Sequence, residues 1–411
     1  MSKSSYFNGQ PLFVQLIKYL DKSEVNRISR EMGAERYVKS FDGWSHLVVM
    51  LYAVISRFDS LREITTGLTA EYNKLNHLGI RTLPRRSTLA DANTRRNEAF
   101  FAKIYKDLYT STRDKLSADS SKRLMPQWMK RLQIMDSTTI SLFSNLIFKG
   151  VGRNPKTGKK KGGIKVHTIL HAIEGVPCGI RYTSAATHDS FMLSPTQWNK
   201  NDILAIDRAY IDYAKFEELT QRGVIYVTKM KKNLVYQTKS NVYMMNEKGE
   251  MVYNVKKVVF TKELKNEEKI EHKARIISYV EIDKKKIISL LTNDIDGNLQ
   301  PEDIIAIYKK RWAIESLFKQ LKQNFPLKYF YGESENAIKI QIWITLIANL
   351  LITLMRQSIS RGWSFSGLAT MIRIMLMYYV DAAAFFEHPE KDWEIFLASL
   401  KDRPIEPTLF E

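Results

Sequence analysis

A mixed α/β core, preceded and followed by helices, is the fold class that this sequence predicts. The chain has 411 residues, 44% of them hydrophobic, enough to bury a sizeable core spread over two or three domains. Its apolar periodicity is helical up to about residue 115 and becomes strand-like from Arg131. Three strand-like runs are then followed by strand, helix and strand, the rhythm of a mixed sheet.

The elements follow in order. Phe13, Leu16, Ile17 and Leu20 keep helical spacing, as do Leu47, Leu51, Val54, Ile55 and Phe58. Ser60 with Glu63 forms a candidate capping box for another helix. In LPRRSTLADANTRRNEAFF, Pro84 and Ser87 announce a helix start, around which stand Arg85, Arg86, Arg95 and Arg96. Such a helix suits contacts to DNA phosphates and base edges, with a solvated basic helix as the alternative. The runs LQIMDSTTISLF, GIKVHTILHAI and PCGIRYTSA read as strands, and NDILAIDRAY as a short apolar strand closed by Asp207. A helix over IDYAKFEELTQRG then leads into the strand VIYVTKM. Residues 229–298 are rich in Lys, Val and Tyr and carry the turn signals NEKGEM and DIDGN, which predicts a β-rich insertion. The expected divisions are a helical region 1–115, a core 130–228, the insertion 229–298, a helix closing the core at 299–335, and C-terminal helices over 336–411.

A net charge of +19 and a pI near 9.6 call for a polyanionic partner, nucleic acid before an anionic membrane surface. The single cysteine, Cys178, excludes an intrachain disulfide framework and a Cys-rich zinc site, and fits a reducing cytoplasm. The N-terminus shows no secretory signal. The most apolar stretch, IQIWITLIANLLITLM, falls short of the roughly 20 clean residues of a membrane span and includes Gln341 and Asn349, so it reads as a core helix. FKGVGRNPKTGKKKGGIK carries seven basic residues and no acidic one. Its Arg153, Lys156, Lys159, Lys160 and Lys161 suit a flexible hairpin that grips DNA backbone, and it lacks the spacing of a phosphate-binding P-loop.

Three carboxylates stand out. Asp136 follows the apolar run LQIM and Asp207 follows ILAI. A carboxylate at the end of a buried strand is costly unless it is paired or binds a cation. Glu315 sits in the basic stretch IYKKRWAIESLFKQLKQNF. On a helix at about 100° per residue, Tyr308, Arg311, Glu315 and Lys322 share a stripe roughly 60° wide. Ile307, Ile314, Leu317, Phe318 and Leu321 form the apolar stripe beside it. The bland alternative is an amphipathic helix with Glu315 paired to Arg311 or Lys319. Three carboxylates without a His/Cys cluster suit hard divalent cations such as Mg²⁺ or Mn²⁺, and two such ions about 4 Å apart serve phosphoryl transfer. His167 and His171 lie in a strand, where their separation rules out a shared zinc ion. His188 is a candidate for orienting a water or a metal ligand, or a structural histidine; Trp312 and Trp343 read as core.

Tyr308, two residues, Arg311, three residues, Glu315, six residues, Lys322 resembles the Tyr-Arg-Glu-Lys signature of the insertion-sequence-four family of DDE transposases. DSTTI at Asp136 and DRAY at Asp207 look like that family's two aspartate motifs, and THDS at Thr187 to Ser190 resembles the stretch ahead of the second. The resemblance implies a ribonuclease H-like catalytic core with a β-rich insertion, behind a helical DNA-binding domain. It implies Asp136, Asp207 and Glu315 as catalytic ligands of two divalent ions, Mg²⁺ with Mn²⁺ as substitute. Tyr308, Arg311 and Lys322 would contact phosphates at the element's end. The implied reaction is cut-and-paste transposition: hydrolysis frees a 3′-hydroxyl, a hairpin releases the end, and the hydroxyl attacks target DNA. The implied partners are double-stranded DNA, as terminal inverted repeats and as target, and a second copy of the chain in a synaptic homodimer. The expected setting is the bacterial cytoplasm, with no membrane partner. Relatives stack a flipped base on a tryptophan of the insertion; this insertion has none, and Tyr236, Tyr243 or Tyr253 is the candidate substitute. A ribonuclease H-like nuclease without strand transfer and a repressor with a vestigial core are the alternatives.

Overall fold

The computed structural model describes residues 6–36, 38–117, 125–141, 152–153, 160–161, 163–185, 187–245, 251–263, 269–281 and 286–401. The chain forms two compact units, residues 1–112 with 320–411, and residues 113–319.

The second unit is built on a nine-stranded sheet. Its strands are β1 (Leu132–Ser141), β2 (Gly163–His171), β3 (Pro177–Ser184), β4 (Ile203–Ile206), β5 (Ile225–Lys229), β6 (Gln237–Met245), β7 (Met251–Glu263), β8 (Lys269–Glu281) and β9 (Lys286–Thr292). They lie in the order β3-β2-β1-β4-β5-β9-β8-β7-β6. The first three run antiparallel, and β4 and β5 then run parallel to β1. That arrangement is the ribonuclease H-like core the sequence leads one to expect. β4 is buried along its whole length, as a strand covered on both faces must be, which is why ILAI has no polar alternation.

The insertion is not a separate body. β9 pairs antiparallel with β5, Leu291 facing Thr228, so β9 to β6 prolong the core sheet. The helix Tyr213–Gln221 covers one face, burying Phe216 and Leu219; the Phe216 ring stacks on Tyr226 at 3.9 Å between centroids. The helix Pro301–Lys310 starts with proline in its first turn and reciprocal bonds between Gln300 and Asp303. Asp303 also accepts from Trp128 Nε1 at 2.8 Å.

The first unit is helical around two buried helices, Gly43–Ser56 and Glu335–Gln357. The C-terminal helices, expected as a region of their own, share this unit with the N-terminal ones. The strand Tyr6–Pro11 pairs with Tyr379–Val380. Half of the expected capping box is in place: Ser60 Oγ accepts from Glu63 N at 3.2 Å, starting the helix Leu61–Ala70, while the Glu63 carboxylate accepts from Asp59 N rather than Ser60 N. The helix Glu335–Gln357 is long and apolar enough to cross a membrane, yet 94% of its apolar window is buried within the protein. Its polar groups have work there. Gln341 Nε2 donates to the carbonyls of Pro326 and Tyr329, and Asn349 Oδ1 accepts from Gln320 at 2.7 Å. It is a core helix.

Candidate active site

Strand pairing brings the two aspartates side by side. In the parallel pair β1/β4, Met135 lies opposite Ile206. The next residue on each strand is Asp136 and Asp207, so two remote sequence motifs become neighbours one strand spacing apart, about 4.8 Å between backbones. They sit at the carboxyl ends of the parallel pairing, where open α/β sheets place their ligands. β1 itself continues past Asp136, pairing only with β2 from there. Asp136 Oδ1 accepts from Ser137 N at 2.8 Å, and Asp207 Oδ1 accepts from Ala209 N at 2.9 Å, capping a short turn.

The third carboxylate is tied in through Arg311. Its Nη1 donates to Asp136 Oδ2 at 2.9 Å and its Nη2 lies 2.6 Å from Glu315 Oε1. The guanidinium also lies 5.6 Å from the ring centres of Tyr308 and Trp312. The single helix expected from Tyr308 to Lys322 is two, Pro301–Lys310 and Trp312–Asn324, meeting at Arg311. The bonds Arg311 N to Tyr308 O and Ile314 N to Arg311 O span three residues, so the turn is tightened rather than broken. Tyr308, Arg311 and Glu315 therefore stay on one face.

Burial pushes the Asp136 carboxyl up to about 6, and the negative charges of Asp207 and Glu315 push the same way, against the Ser137 N–H and Arg311. All three acids thus act on one place. Burial raises the Tyr308 hydroxyl and lowers the Lys322 amine. Among the described residues no three His, Cys, Asp or Glu side chains stand close enough to hold an ion as they are. The guanidinium fills the place between Asp136 and Glu315.

Residues 127–351, more than half of the chain, match the family described as Transposase DDE domain. The chain belongs to the DDE transposase family. Residues 8–81 of this transposase also match a domain of unknown function (DUF4372). A putative transposase for insertion sequence element IS4SA, from Synechocystis sp., is 26% identical over 66% of this chain and 71% of its own length. The transposase for insertion sequence element IS231B, from Bacillus thuringiensis subsp. berliner, is 21% identical over 81% and 77%. Among solved structures, a piggyBac transposase synaptic complex with hairpin DNA superposes with a TM-score of 0.43 at 11% identity, over 97% of this chain and 86% of that one. By its family and its insertion-sequence relatives, the transposase is an enzyme of DNA transposition.

A fourth acid, from the THDS stretch, stands behind the first aspartate of the transposase, although the sequence points to His188 there rather than to Asp189. Asp189 Oδ1 accepts from Ser137 Oγ at 2.7 Å and lies 3.4 Å from Lys165 Nζ and 3.6 Å from His167 Nδ1. His167 Nε2 meets Thr183 Oγ1 at 2.8 Å. The neighbouring His188, the expected candidate, is instead exposed and caps its own turn through Ser190. Burial lowers His167 to about 4, against a reference of 6.5. Between those values the unfolded chain takes up a proton that the folded one refuses. The stability contributed through His167 is therefore lost as pH falls from about 6.5 towards 4, while the raised Asp136 carboxyl acts in the opposite sense. In denaturant titrations at pH 7 and pH 5, His167→Gln should shift the difference towards greater relative stability at pH 5; an unchanged difference in the variant would remove His167 from it.

The basic residues divide. Arg85 directly precedes the helix Arg86–Arg95 without a side-chain capping bond, while Arg95 and Arg96 stand at its far end, not around its N-terminus as expected. Arg85, Arg86 and Arg95 are exposed. Arg96 is buried: it donates to the carbonyls of Ala34 and Phe41 and to His46 Nδ1 at 2.9 Å, and lies 3.8 Å from Glu35. It holds the helical unit together and has no donor turned to a phosphate. Arg153 lies on a two-residue strand paired with Lys160 and Lys161, as a hairpin requires; Lys156 and Lys159 lie outside the described residues. Trp343 is core, its Nε1 donating to Glu98 at 2.6 Å, but Trp312 is 58% exposed, contrary to expectation. Of the insertion tyrosines, Tyr243 is exposed and Tyr236 packs against Phe260.

Proposed function

We propose that Asp136, Asp207 and Glu315 are the catalytic carboxylates of this transposase and bind divalent ions, Mg²⁺ or Mn²⁺. The observation that carries the reading is the parallel register that sets Asp136 beside Asp207, with Glu315 joined to Asp136 through one guanidinium. The donor set fits: it offers carboxylate oxygens alone, the choice of hard cations. Asp136 is buried among other acids, and a cationic side chain already neutralises it. When bound, such ions activate an attacking oxygen and stabilise a leaving one.

The chain's own residues supply the rest. Tyr308, Arg311 and Lys322 contact phosphates near the scissile bond; Lys322 lies two turns past Glu315 on the same helix. Arg85, Arg86 and Arg95 on the helical unit, and the hairpin of Arg153, Lys160 and Lys161, hold DNA backbone. The substrate is double-stranded DNA, as inverted repeats and as target. Cleavage at the repeats frees a 3′-hydroxyl that attacks the target, and two copies of the chain pair two ends. The test is to incubate the protein with Mg²⁺, DNA carrying the repeats that flank its gene, and a supercoiled target. Joined products that require Mg²⁺ are expected. Cleaved ends that never join would make it a nuclease, and neither product a vestigial core.

A further inference from the structure

We infer that Arg311 is a resident counter-cation that competes with divalent metal for Asp136 and Glu315 until DNA phosphate draws it away. The inference rests on the metal reading of those carboxylates. Arg311 spans Asp136 Oδ2 at 2.9 Å and Glu315 Oε1 at 2.6 Å. A surface pair four residues apart on a helix contributes little. Here the arginine side chain is only 8% exposed and Asp136 17%, so that contact is largely desolvated, whereas Glu315 is 36% exposed. Its Nε has no hydrogen-bond partner, so the fork is not fully spent on the pair it makes.

The guanidinium holds one oxygen of Asp136 and one of Glu315, and the Ser137 N–H holds the other oxygen of Asp136, so an ion shared by the two acids competes with Arg311 for them. The three acids are not otherwise close enough to bind one, so displacement of Arg311 is part of metal loading. The planar fork needs somewhere to go. Phosphate is the partner it matches as well as carboxylate, and both are held in bidentate fashion. DNA engagement and metal loading are then coupled in the same direction, and the coupling is reciprocal. Without DNA, the guanidinium offsets one of the two carboxylate charges and metal is held weakly, which restrains cleavage of the wrong substrate.

The test is Mn²⁺ binding to the full chain without DNA, read by electron paramagnetic resonance. Arg311→Gln is expected to bind Mn²⁺ roughly tenfold more tightly than the parent, within the usual range of such couplings. Arg311→Lys keeps the charge but cannot bridge both carboxylates, so it should bind with intermediate affinity. Unchanged affinity in Arg311→Gln, or Arg311→Lys equal to the parent, overturns the inference, the latter because charge alone would then explain the gain. Asp136→Asn added to Arg311→Gln should abolish the tight binding. If binding survives it, the ion lies elsewhere, and both the inference and the metal assignment fall. Should Arg311→Gln fold poorly, the Arg311→Lys comparison decides.

Discussion

Glu315→Gln is expected to lower Mg²⁺-dependent DNA cleavage by about 10³-fold or more, while DNA affinity stays level or rises. Glutamine keeps the shape and one oxygen that Arg311 can reach, but it withdraws an anion from the site. Metal affinity falls because a hard cation loses a charged ligand. DNA affinity does not fall, since one repulsive charge near the phosphates is gone. A gel-shift assay without divalent metal, beside a cleavage time course with Mg²⁺, separates the two effects. Cleavage at the parental rate would remove Glu315 from the active site and leave its bond to Arg311 as an ordinary helix pair.

Arg96→Ala should destabilise the protein by about 3–5 kcal/mol, far more than loss of a DNA contact would. Arg96 serves two buried carbonyls and the Nδ1 of His46, whose Nε2 in turn meets Asn93 Oδ1 at 2.8 Å. Burial holds His46 well below its usual range, so it is neutral and can accept the arginine's proton in that bond. Removing Arg96 leaves three acceptors without a donor in a dry place. Arg95→Ala, one residue earlier and exposed, should leave the denaturation midpoint almost unchanged and weaken DNA binding. If Arg96→Ala unfolds at the parental midpoint and loses DNA affinity instead, the buried role is wrong.

The contrast between Arg95 and Arg96 marks what sequence can and cannot carry. Two adjacent arginines look alike in a string, and only the packing of a helix end decides which turns inward. Periodicity did reveal the helices, because burial on one face repeats every turn. Apolar runs revealed β1 and β4, because both faces of a parallel strand are covered. That Asp136 and Asp207 end up adjacent depends on strand register, which no local pattern states; the family resemblance supplied it. The helical stripe correctly joined Tyr308, Arg311 and Glu315, yet the tightened turn at Arg311 was invisible, since lysine, arginine and tryptophan all accept regular helix. Trp312 reads as core by composition and is exposed because it falls off the apolar stripe. The THDS stretch was marked by its resemblance, but which of its residues matters was not: Asp189 gains meaning only from Ser137, Lys165 and His167, which lie on strands remote in sequence. The extension of the core sheet by the insertion is equally non-local, set by Leu290 to Thr292 pairing with β5.

The most direct test of the account locates the ion. Crystals of the protein with DNA, grown in Mn²⁺, should show anomalous peaks within coordination distance of Asp136, Asp207 and Glu315, with the Arg311 guanidinium moved off Asp136. Peaks bound to other residues, or none at this trio while the crystals hold Mn²⁺ and DNA, would contradict it.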